Sequence, residues 1–294
     1  MWGLSWWPFR QLQAHGVHPL WATVIVYLPA VLVVIAVRPA ALRQLLREPT
    51  LWLLMLAAGS TNAAFNWASV IGDVVRVVLL FYLMPLWSVL LARWLLNEPL
   101  TRAGGARVVL ALLGAAMVLQ PEGSTGAASG WAALPLPQSL ADGLALFGGF
   151  AFALNNVLLK RAAHQPEAGR VLAMFVGGAL VAGVLALWLS LQQLVPWPLE
   201  TAHGDWSTAL LAKPAWLWAL ALLMSALFLV SNLALQFGAS RLPAQVTSVL
   251  MLSELLFAAL SSALWGAGLI TVPLLCGGLL IAVAAVWAAR EKSV

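Results

Sequence analysis

Residues 20–37 read LWATVIVYLPAVLVVIAV, a run of 18 residues without a charged side chain. Wound as an α-helix, an apolar run of this length crosses the roughly 30 Å of hydrocarbon in a bilayer. A shorter apolar run at 1–9 precedes it, and long apolar runs follow at 51–71, 74–96, 105–120, 140–159, 171–194, 215–238, 243–265 and 267–289. The sequence therefore predicts an all-α integral membrane protein with ten transmembrane helices, numbered here as spans one to ten.

The composition of the whole chain supports this prediction. Of its 294 residues, 63% are hydrophobic and 9% are charged, whereas a soluble domain carries about 25% charged residues. Such a chain cannot cover an exterior that faces water, so we expect the lipid bilayer to be its solvent. The net charge of +5 would suit a nucleic acid, but the positions of the charges predict membrane orientation instead, with no nucleic-acid partner.

The basic residues lie mostly on one side of the predicted membrane. If both termini are cytoplasmic, 12 of the 15 lysines and arginines lie inside, and only Arg10, Arg76 and Lys213 lie outside. The positive-inside rule expects this asymmetry. The sequence therefore predicts a multi-pass protein of a bacterial-type cytoplasmic (inner) membrane, with its N and C termini in the cytoplasm.

The two halves of the chain resemble each other. Residues 2–10 align with 152–160, and residues 61–66 align with 231–236. Each half then holds five spans, an odd number, so the second half enters the membrane upside down, as in transporters built from inverted repeats. We predict a first repeat at 1–120, a periplasmic link at 121–139 and a second repeat at 140–290.

The alignment leaves the first helix short. Span six begins near Leu140, 12 residues before Phe152, the equivalent of Trp2, whereas span one begins at Met1. The first helix is therefore expected to lack its cytoplasmic half, which a miscalled start codon or a truncation would explain. No basic segment precedes the apolar run, so a cleavable signal peptide is not expected.

Three short motifs resemble EamA-type members of the drug/metabolite transporter superfamily. Pro85-Leu86-Trp87 followed by Leu95-Leu96-Asn97-Glu98-Pro99-Leu100-Thr101 resembles the end of that family's fourth helix. Trp2-Gly3 with Ser5 resembles its first helix, and Ser253-Glu254-Leu255-Leu256-Phe257-Ala258-Ala259 resembles its ninth. Leu255 replaces the usual proline, and Ala267-Gly268 stands where the second repeat often has an acid like Glu98.

The resemblance implies ten helices around a central cavity and export of metabolites such as amino acids. We therefore expect a secondary transporter, working by alternating access, for a small neutral or zwitterionic solute. The alternative is proton-coupled efflux of lipophilic cations or drugs. An intramembrane enzyme would need a clustered nucleophile, base or metal set at one depth, and a non-transporting scaffold would not need paired amides. No cofactor, no metal and no enzyme activity are expected, and the oligomeric state stays open.

Paired amides are the first candidates for a solute site. Asn62 and Asn66 lie four residues apart, so they share one face of span three, and Asn232 and Gln236 repeat this pattern on span eight. An amide both donates and accepts hydrogen bonds, which suits a zwitterionic or hydroxylated solute. Amides also bond one membrane helix to another, so a purely structural role stays open.

Further candidates lie on spans one, four, six and nine. Adjacent asparagines point about 100° apart, so of Asn155 and Asn156 we expect only Asn155 to face the cavity. Glu254 is the acid predicted to lie deep in a span, where it would bind a proton or an amine. The remaining candidates for the cavity wall are Ser5, Trp6 and Tyr82.

Two charged residues mark the beginning of span four. Asp73 is well placed to cap that helix, and Arg76 follows three residues later, within reach of the same carboxylate. The two residues are therefore predicted to form a cap with an ion pair, and the alternative is a gate at the membrane surface.

Overall fold

The structure, a computed structural model, describes residues 2–95, 102–119, 136–162, 165–198, 214–239, 257–258, 260–262, 264–265 and 271–290. In this part of the chain the regular elements are helices. A short 3-10 helix at Trp2–Leu4 comes first. The α-helices that follow are α1 (Trp6–Ala14), α2 (Pro19–Val37), α3 (Ala40–Arg47), α4 (Pro49–Ile71), α5 (Val74–Phe81), α6 (Met84–Leu95), α7 (Arg102–Val118), α8 (Leu140–Arg161), α9 (Glu167–Leu191), α10 (Ala215–Ala239) and α11 (Val272–Arg290).

Length and composition confirm a multi-pass, all-helical membrane protein in the described residues. Five helical segments there are long and apolar enough to cross a membrane: Pro19–Val37, Val74–Leu95, Leu140–Leu159, Glu167–Leu191 and Ala215–Ala234. A shorter apolar helix covers Val272–Trp287. At 23 residues α4 is also long enough to cross, but Asn62 and Asn66 make it less apolar. Most of predicted span nine, with Glu254, lies outside the described residues.

The predicted span 74–96 corresponds to one candidate membrane span, Val74–Leu95, which a break divides into two helices. Helix α5 ends at Phe81 and α6 begins at Met84, and across the break the N–H of Leu83 donates to the carbonyl of Leu80 at 3.2 Å. Pro85 explains the interruption, since it has no N–H to donate to the carbonyl of Phe81 and its ring would clash with that carbonyl in a continuous helix. Pro85 is visible in the sequence, but the prediction relied on the length of the apolar run and did not include a break.

Glycines set two close helix crossings between the halves of the chain. Helix α4 crosses α9 at Gly59 and Gly177, where a Cβ on either residue would overlap the backbone of the other helix. Helix α7 crosses α11 at Gly114 and Gly277. There the contact is reciprocal: a Cβ on Gly114 would lie 2.7 Å from the Gly277 oxygen, and one on Gly277 would lie 2.6 Å from the Gly114 oxygen. Small residues allow membrane helices to approach this closely.

Helix α4 occupies the middle of the described bundle, since it contacts α8 and α9 along most of its length and also touches α2. Its core-facing residues include Leu51, Leu54 and Ala57, which belong to one hydrophobic cluster with residues of α2, α8, α9 and α10. The helix that carries the predicted pair Asn62 and Asn66 is therefore closely surrounded by other helices.

Candidate functional site

The amides of α4 reach across to α2. The Tyr27 hydroxyl donates to Oδ1 of Asn62 at 2.9 Å, and Nδ2 of Asn66 donates to Oγ1 of Thr23 at 3.1 Å. Asn66 and Thr23 are buried, whereas Asn62 is half-buried. Both side chains therefore point to one side of α4, as expected of residues four apart, and both make the interhelical bonds that were the structural alternative.

Aromatic rings surround Tyr27, the partner of Asn62. The Tyr27 ring packs against Phe175 of α9 and Phe228 of α10, with ring centroids 5.5 and 5.6 Å away. It also lies directly over Gly178, where a Cβ would collide with the ring. The hydroxyl that holds Asn62 is thus positioned by helices of both halves.

Helix α8 turns one of its two asparagines inward. Asn155 is 3% exposed, whereas Asn156 is exposed, which is the arrangement that the 100° step per residue predicted. Among the described residues, the buried Oδ1 of Asn155 has no hydrogen-bond partner. Because an unsatisfied buried acceptor costs roughly 1–3 kcal/mol, this oxygen is suited to accept a hydrogen bond from a bound molecule.

The second predicted amide pair lies on α10. Asn232 is buried at 9% exposure. Gln236 belongs to the same helix, but its side chain lies outside the described residues, as does the whole of Glu254. The structure therefore joins Asn62 and Asn66 to α2 by hydrogen bonds. It buries Asn155 of α8 and Asn232 of α10 inside the bundle.

Trp6 and Ser5 lie where the first helix meets predicted span nine. Nε1 of Trp6 donates to Oγ of Ser261 at 3.1 Å, and both residues are buried. Ser5 is 2% exposed. Tyr82, at 4% exposure, sits at the break between α5 and α6. These three predicted residues thus lie in the interior of the described bundle.

Asp73 and Arg76 belong to a charged cluster at the end of the bundle where α5 and α8 begin. Asp73 caps α5, since its Oδ1 accepts from the N–H of Arg76 at 2.9 Å. The Arg76 guanidinium forms a bidentate ion pair with Asp142 of α8, with bonds of 2.8 and 3.0 Å. Its third donor reaches the carbonyl of Val118, the last residue of α7, at 2.5 Å.

The cluster extends to both of its neighbouring segments. The backbone N–H of Gln138 donates to Oδ2 of Asp142 at 3.0 Å. The Arg10 guanidinium, 5.2 Å above the ring of Trp6, donates to the carbonyl of Gly72 at 2.6 Å. Charge-assisted hydrogen bonds therefore hold five elements together at this end of the bundle. They are the first helix, the ends of α4 and α7, and the beginnings of α5 and α8.

Sequence reasoning missed Asp142, Tyr27, Thr23 and Ser261. Asp142 had a readable signal, because it is an acid inside a predicted span and such acids seek a partner. Tyr27, Thr23 and Ser261 had none, because a hydroxyl in an apolar run shows no preference for one neighbouring helix over another.

The structure also contains an open apolar groove of about 280 Å³ between α2 and α10. It is lined by Pro29, Ala30, Val33, Leu222, Ser225, Ala226, Leu229 and Val230. None of the predicted site residues lines it. Among the described residues, no group of three His, Cys, Asp or Glu side chains is placed to hold a metal ion.

Known proteins resemble this chain in part of its sequence and in its fold. A family model for the EamA-like transporter family matches residues 1–120. A solved structure titled "Crystal structure of protein" is similar over 97% of this chain and 93% of its own, with 19% identity and a TM-score of 0.50. At that identity the likeness concerns the fold alone. No curated protein matches the sequence.

The family match bears on the function class as well. The match to a transporter family, together with the candidate membrane spans, supports a membrane transporter rather than an enzyme. The match also agrees with the motifs at Trp2-Gly3 and Pro85-Leu86-Trp87, which lie within the matched residues. Over residues 1–120 the match confirms the predicted resemblance to EamA-type transporters of the drug/metabolite transporter superfamily.

Proposed function

We propose that the chain is a secondary transporter that works by alternating access, with ten transmembrane helices in two inverted five-helix repeats. The first repeat is 1–120, the link 121–139 and the second repeat 140–290. In such transporters the solute site lies near the midplane between the repeats. The observation that carries the proposal is the pattern of contacts between the two halves.

Several of these contacts agree with a two-fold relation between the halves. If α1, α2, α4 and α7 correspond to α8, α9, α10 and α11, then every contact between halves must recur with the partners exchanged. Helix α4 packs on α9 and α10 packs on α2. Likewise α4 packs on α8 and α10 on α1, while the self-corresponding pairs α2 with α9 and α7 with α11 are also in contact.

A further exchanged pair involves predicted span nine. Helices α5 and α6, which form span four, pack on α8. The exchanged contact is between span nine and the first helix, and the Trp6–Ser261 hydrogen bond joins those two elements. Exchanged contacts of this kind support a two-fold relation between the halves, and the odd number of spans proposed for each half would make the repeats inverted.

We propose a small neutral or zwitterionic solute, such as an amino acid, as the cargo, with export as the direction expected from the family resemblance. The unpartnered Oδ1 of Asn155 supports a solute that donates a hydrogen bond. Asn62, Asn66, Asn232 and Gln236 would offer donors and acceptors, and Ser5, Trp6, Tyr82 and Glu254 would complete the wall. The alternative, proton-coupled efflux of lipophilic cations, depends on Glu254.

The proposed orientation is a cytoplasmic membrane with both termini inside. The Arg76–Asp142 cluster would then face the periplasm, where it would hold the outer end of the bundle closed. Labelling of single cysteines introduced at Arg47 and Gln138, in a Cys276→Ser background, tests this arrangement. The proposal expects the first to react only from the cytoplasmic side and the second only from the outside.

The transport test uses adjacent asparagines as matched variants. Purified protein in liposomes is assayed for counterflow of a panel of labelled amino acids and of a quaternary ammonium dye. We expect Asn155→Ala to lower transport of the accepted amino acid at least about tenfold, the cost of losing one buried hydrogen bond to a charged group. Asn156→Ala, which changes an exposed side chain, should leave transport within about twofold.

Thermal stability separates a binding role from a structural one. Removal of an acceptor that has no partner costs no hydrogen bond, so Asn155→Ala should lower the unfolding temperature only by the loss of packing around one buried side chain. Equal transport by the two variants would contradict the proposed role of Asn155 in the solute site. Counterflow of the dye without any amino acid would favour the alternative cargo.

A further inference from the structure

The short helix α3 joins two long helices at one end of the bundle. It follows α2 and precedes α4, and it packs on α9. Ala41 and Leu45, four residues apart, are buried at 0% and 5% exposure. Gly169 of α9 lies against Gln44, since a Cβ there would be 3.3 Å from the Gln44 Cβ. One side of α3 is therefore fixed to the protein.

The other two sides of α3 differ in character. Leu42 and Leu46 form an apolar stripe, with 38% and 64% of each side chain exposed. Arg43 and Arg47 form a basic stripe and are also exposed. At 100° per residue, the buried side, the leucine stripe and the arginine stripe follow one another at intervals of about 100° around the helix.

The local sequence leaves the basic stripe without competing acids. Residues 38–47 contain three arginines and no aspartate or glutamate, and Arg38 is exposed as well. Glu48, the next residue, accepts a hydrogen bond from Nε2 of Gln165 at 3.0 Å. Because a neutral amide leaves the Glu48 carboxylate charged, residues 38–48 carry three positive charges and one negative charge, and a negatively charged partner would complement the net positive charge.

Trp52 indicates the depth at which α3 lies. Its indole Nε1 donates to the carbonyl of Leu45 at 2.6 Å, while 47% of the side chain is exposed. Tryptophans with an exposed ring and a bonded N–H are enriched at the boundary between headgroups and hydrocarbon. The end of α3 that receives this bond therefore lies close to the same boundary.

We propose that α3 is a docking site for anionic phospholipid. Arg43 and Arg47 bind the phosphate of the headgroup, with Arg38 beside them, and Leu42 and Leu46 contact the acyl chains. The two adjacent stripes match a molecule that has a negative head and an apolar tail. A free phosphate ion would use only the arginines, and a soluble acidic protein would leave the leucines exposed.

The test measures lipid binding to the full chain in detergent by native mass spectrometry. Phosphatidylglycerol and phosphatidylcholine of the same acyl chains are added in turn to the parent, to R43Q/R47Q and to R102Q/R290Q. The last variant removes two exposed basic side chains that lie on α7 and α11, so it matches the loss of charge at a distance from α3.

We expect the parent to retain phosphatidylglycerol in preference to phosphatidylcholine. R43Q/R47Q should weaken phosphatidylglycerol binding on the order of tenfold, since each arginine near an anionic surface contributes about 1 kcal/mol. L42A/L46A should also weaken it, whereas R102Q/R290Q should have little effect. All substituted side chains are exposed, so unfolding temperatures without lipid should stay close to that of the parent.

Three results would overturn the proposal. One is equal retention of the two lipids by the parent, and another is an equal loss in R43Q/R47Q and R102Q/R290Q. The third is release of phosphatidylglycerol by millimolar inorganic phosphate together with unchanged binding in L42A/L46A, which would assign the arginines to a simple anion. None of these outcomes depends on whether the chain transports a solute.

Discussion

Arg76 and Asp142 form a bidentate ion pair that joins the beginning of α5 to the beginning of α8, 66 residues apart in the chain. Their side chains are 13% and 3% exposed. Removal of one member of a buried pair leaves an uncompensated charge, which typically costs 3–5 kcal/mol. The pair is thus a strong link between the two halves and a simple one to test.

Asp142→Asn should lower the free energy of unfolding in detergent by about 3 kcal/mol, the low end of that range, because Arg76 keeps some contact with solvent. Asp73→Asn is the matched control. Asparagine caps a helix as well as aspartate does, so the control should lose only a few tenths of a kcal/mol. Similar losses in the two variants would show that the ion pair carries no special weight.

Gly59→Ala should destabilise the protein by about 1–3 kcal/mol, as overpacking of a tight contact does. A Cβ at this position collides with the backbone of Gly177, which cannot move without separating α4 from α9. Gly143→Ala provides the comparison, because a Cβ there meets nothing within 4 Å. That change should instead stabilise α8 by roughly 0.5–1 kcal/mol, and thermal unfolding of both variants measures the contrast.

Acid should weaken the junction of α1 and α2. Burial lowers the pKa of His18 to about 4, and its Nδ1 accepts the N–H of Leu20 at 3.3 Å as the cap of α2. The unfolded chain, with an ordinary histidine pKa of about 6.5, binds the proton first. The stability that this histidine contributes is therefore complete above pH 6.5 and is lost as the pH falls towards 4.

The measurement is the unfolding temperature between pH 7.5 and 4. His18→Asn keeps a capping side chain but cannot titrate in this range, so its unfolding temperature should fall less with acid than that of the parent. His15→Asn should fall as the parent does. A parent and His18→Asn that follow the same curve would mean that this ring does not couple protonation to folding.

The Tyr27–Asn62 bond should contribute a modest coupling. Hydrogen bonds between membrane helices average about 0.6 kcal/mol in double-mutant cycles. We expect this value from a cycle of Tyr27→Phe with Asn62→Ala, measured by unfolding in detergent. A cycle of Tyr27→Phe with Trp52→Phe, whose indole bonds elsewhere, should show no coupling, and a zero value in both cycles would contradict the bond.

Much of the fold could be predicted because the bilayer imposes a simple requirement. Runs of about 20 apolar residues predicted α2, α8, α9 and α10 within a few residues of their observed ends. The break at Tyr82 was not predicted, because a span defined by hydropathy ignores the backbone bonds that Pro85 removes. The first helix is short in the structure as well, at Trp6–Ala14.

The candidate site was predictable only in part. The spacing of Asn62 and Asn66 predicted a shared face of α4, and the hydrogen bonds to α2 agree with it. The identity of their partners could not be predicted, because Tyr27 and Thr23 meet them only once two helices pack. The partner of Arg76 could not be predicted either, because Asp142 lies in the other half of the chain. The sequence spacing indicated only the nearby Asp73.

The reciprocal contact of Gly114 with Gly277 has a mechanical consequence. The backbones of α7 and α11 touch there, with Ile281 against Gly114 and Val118 against Gly277, so a change of the crossing angle would move one backbone over the other at this point. Separation of α7 from α11 would lose these close contacts. Rotation of one half of the molecule against the other would therefore turn about this crossing, and a bulky residue there should stiffen the whole assembly.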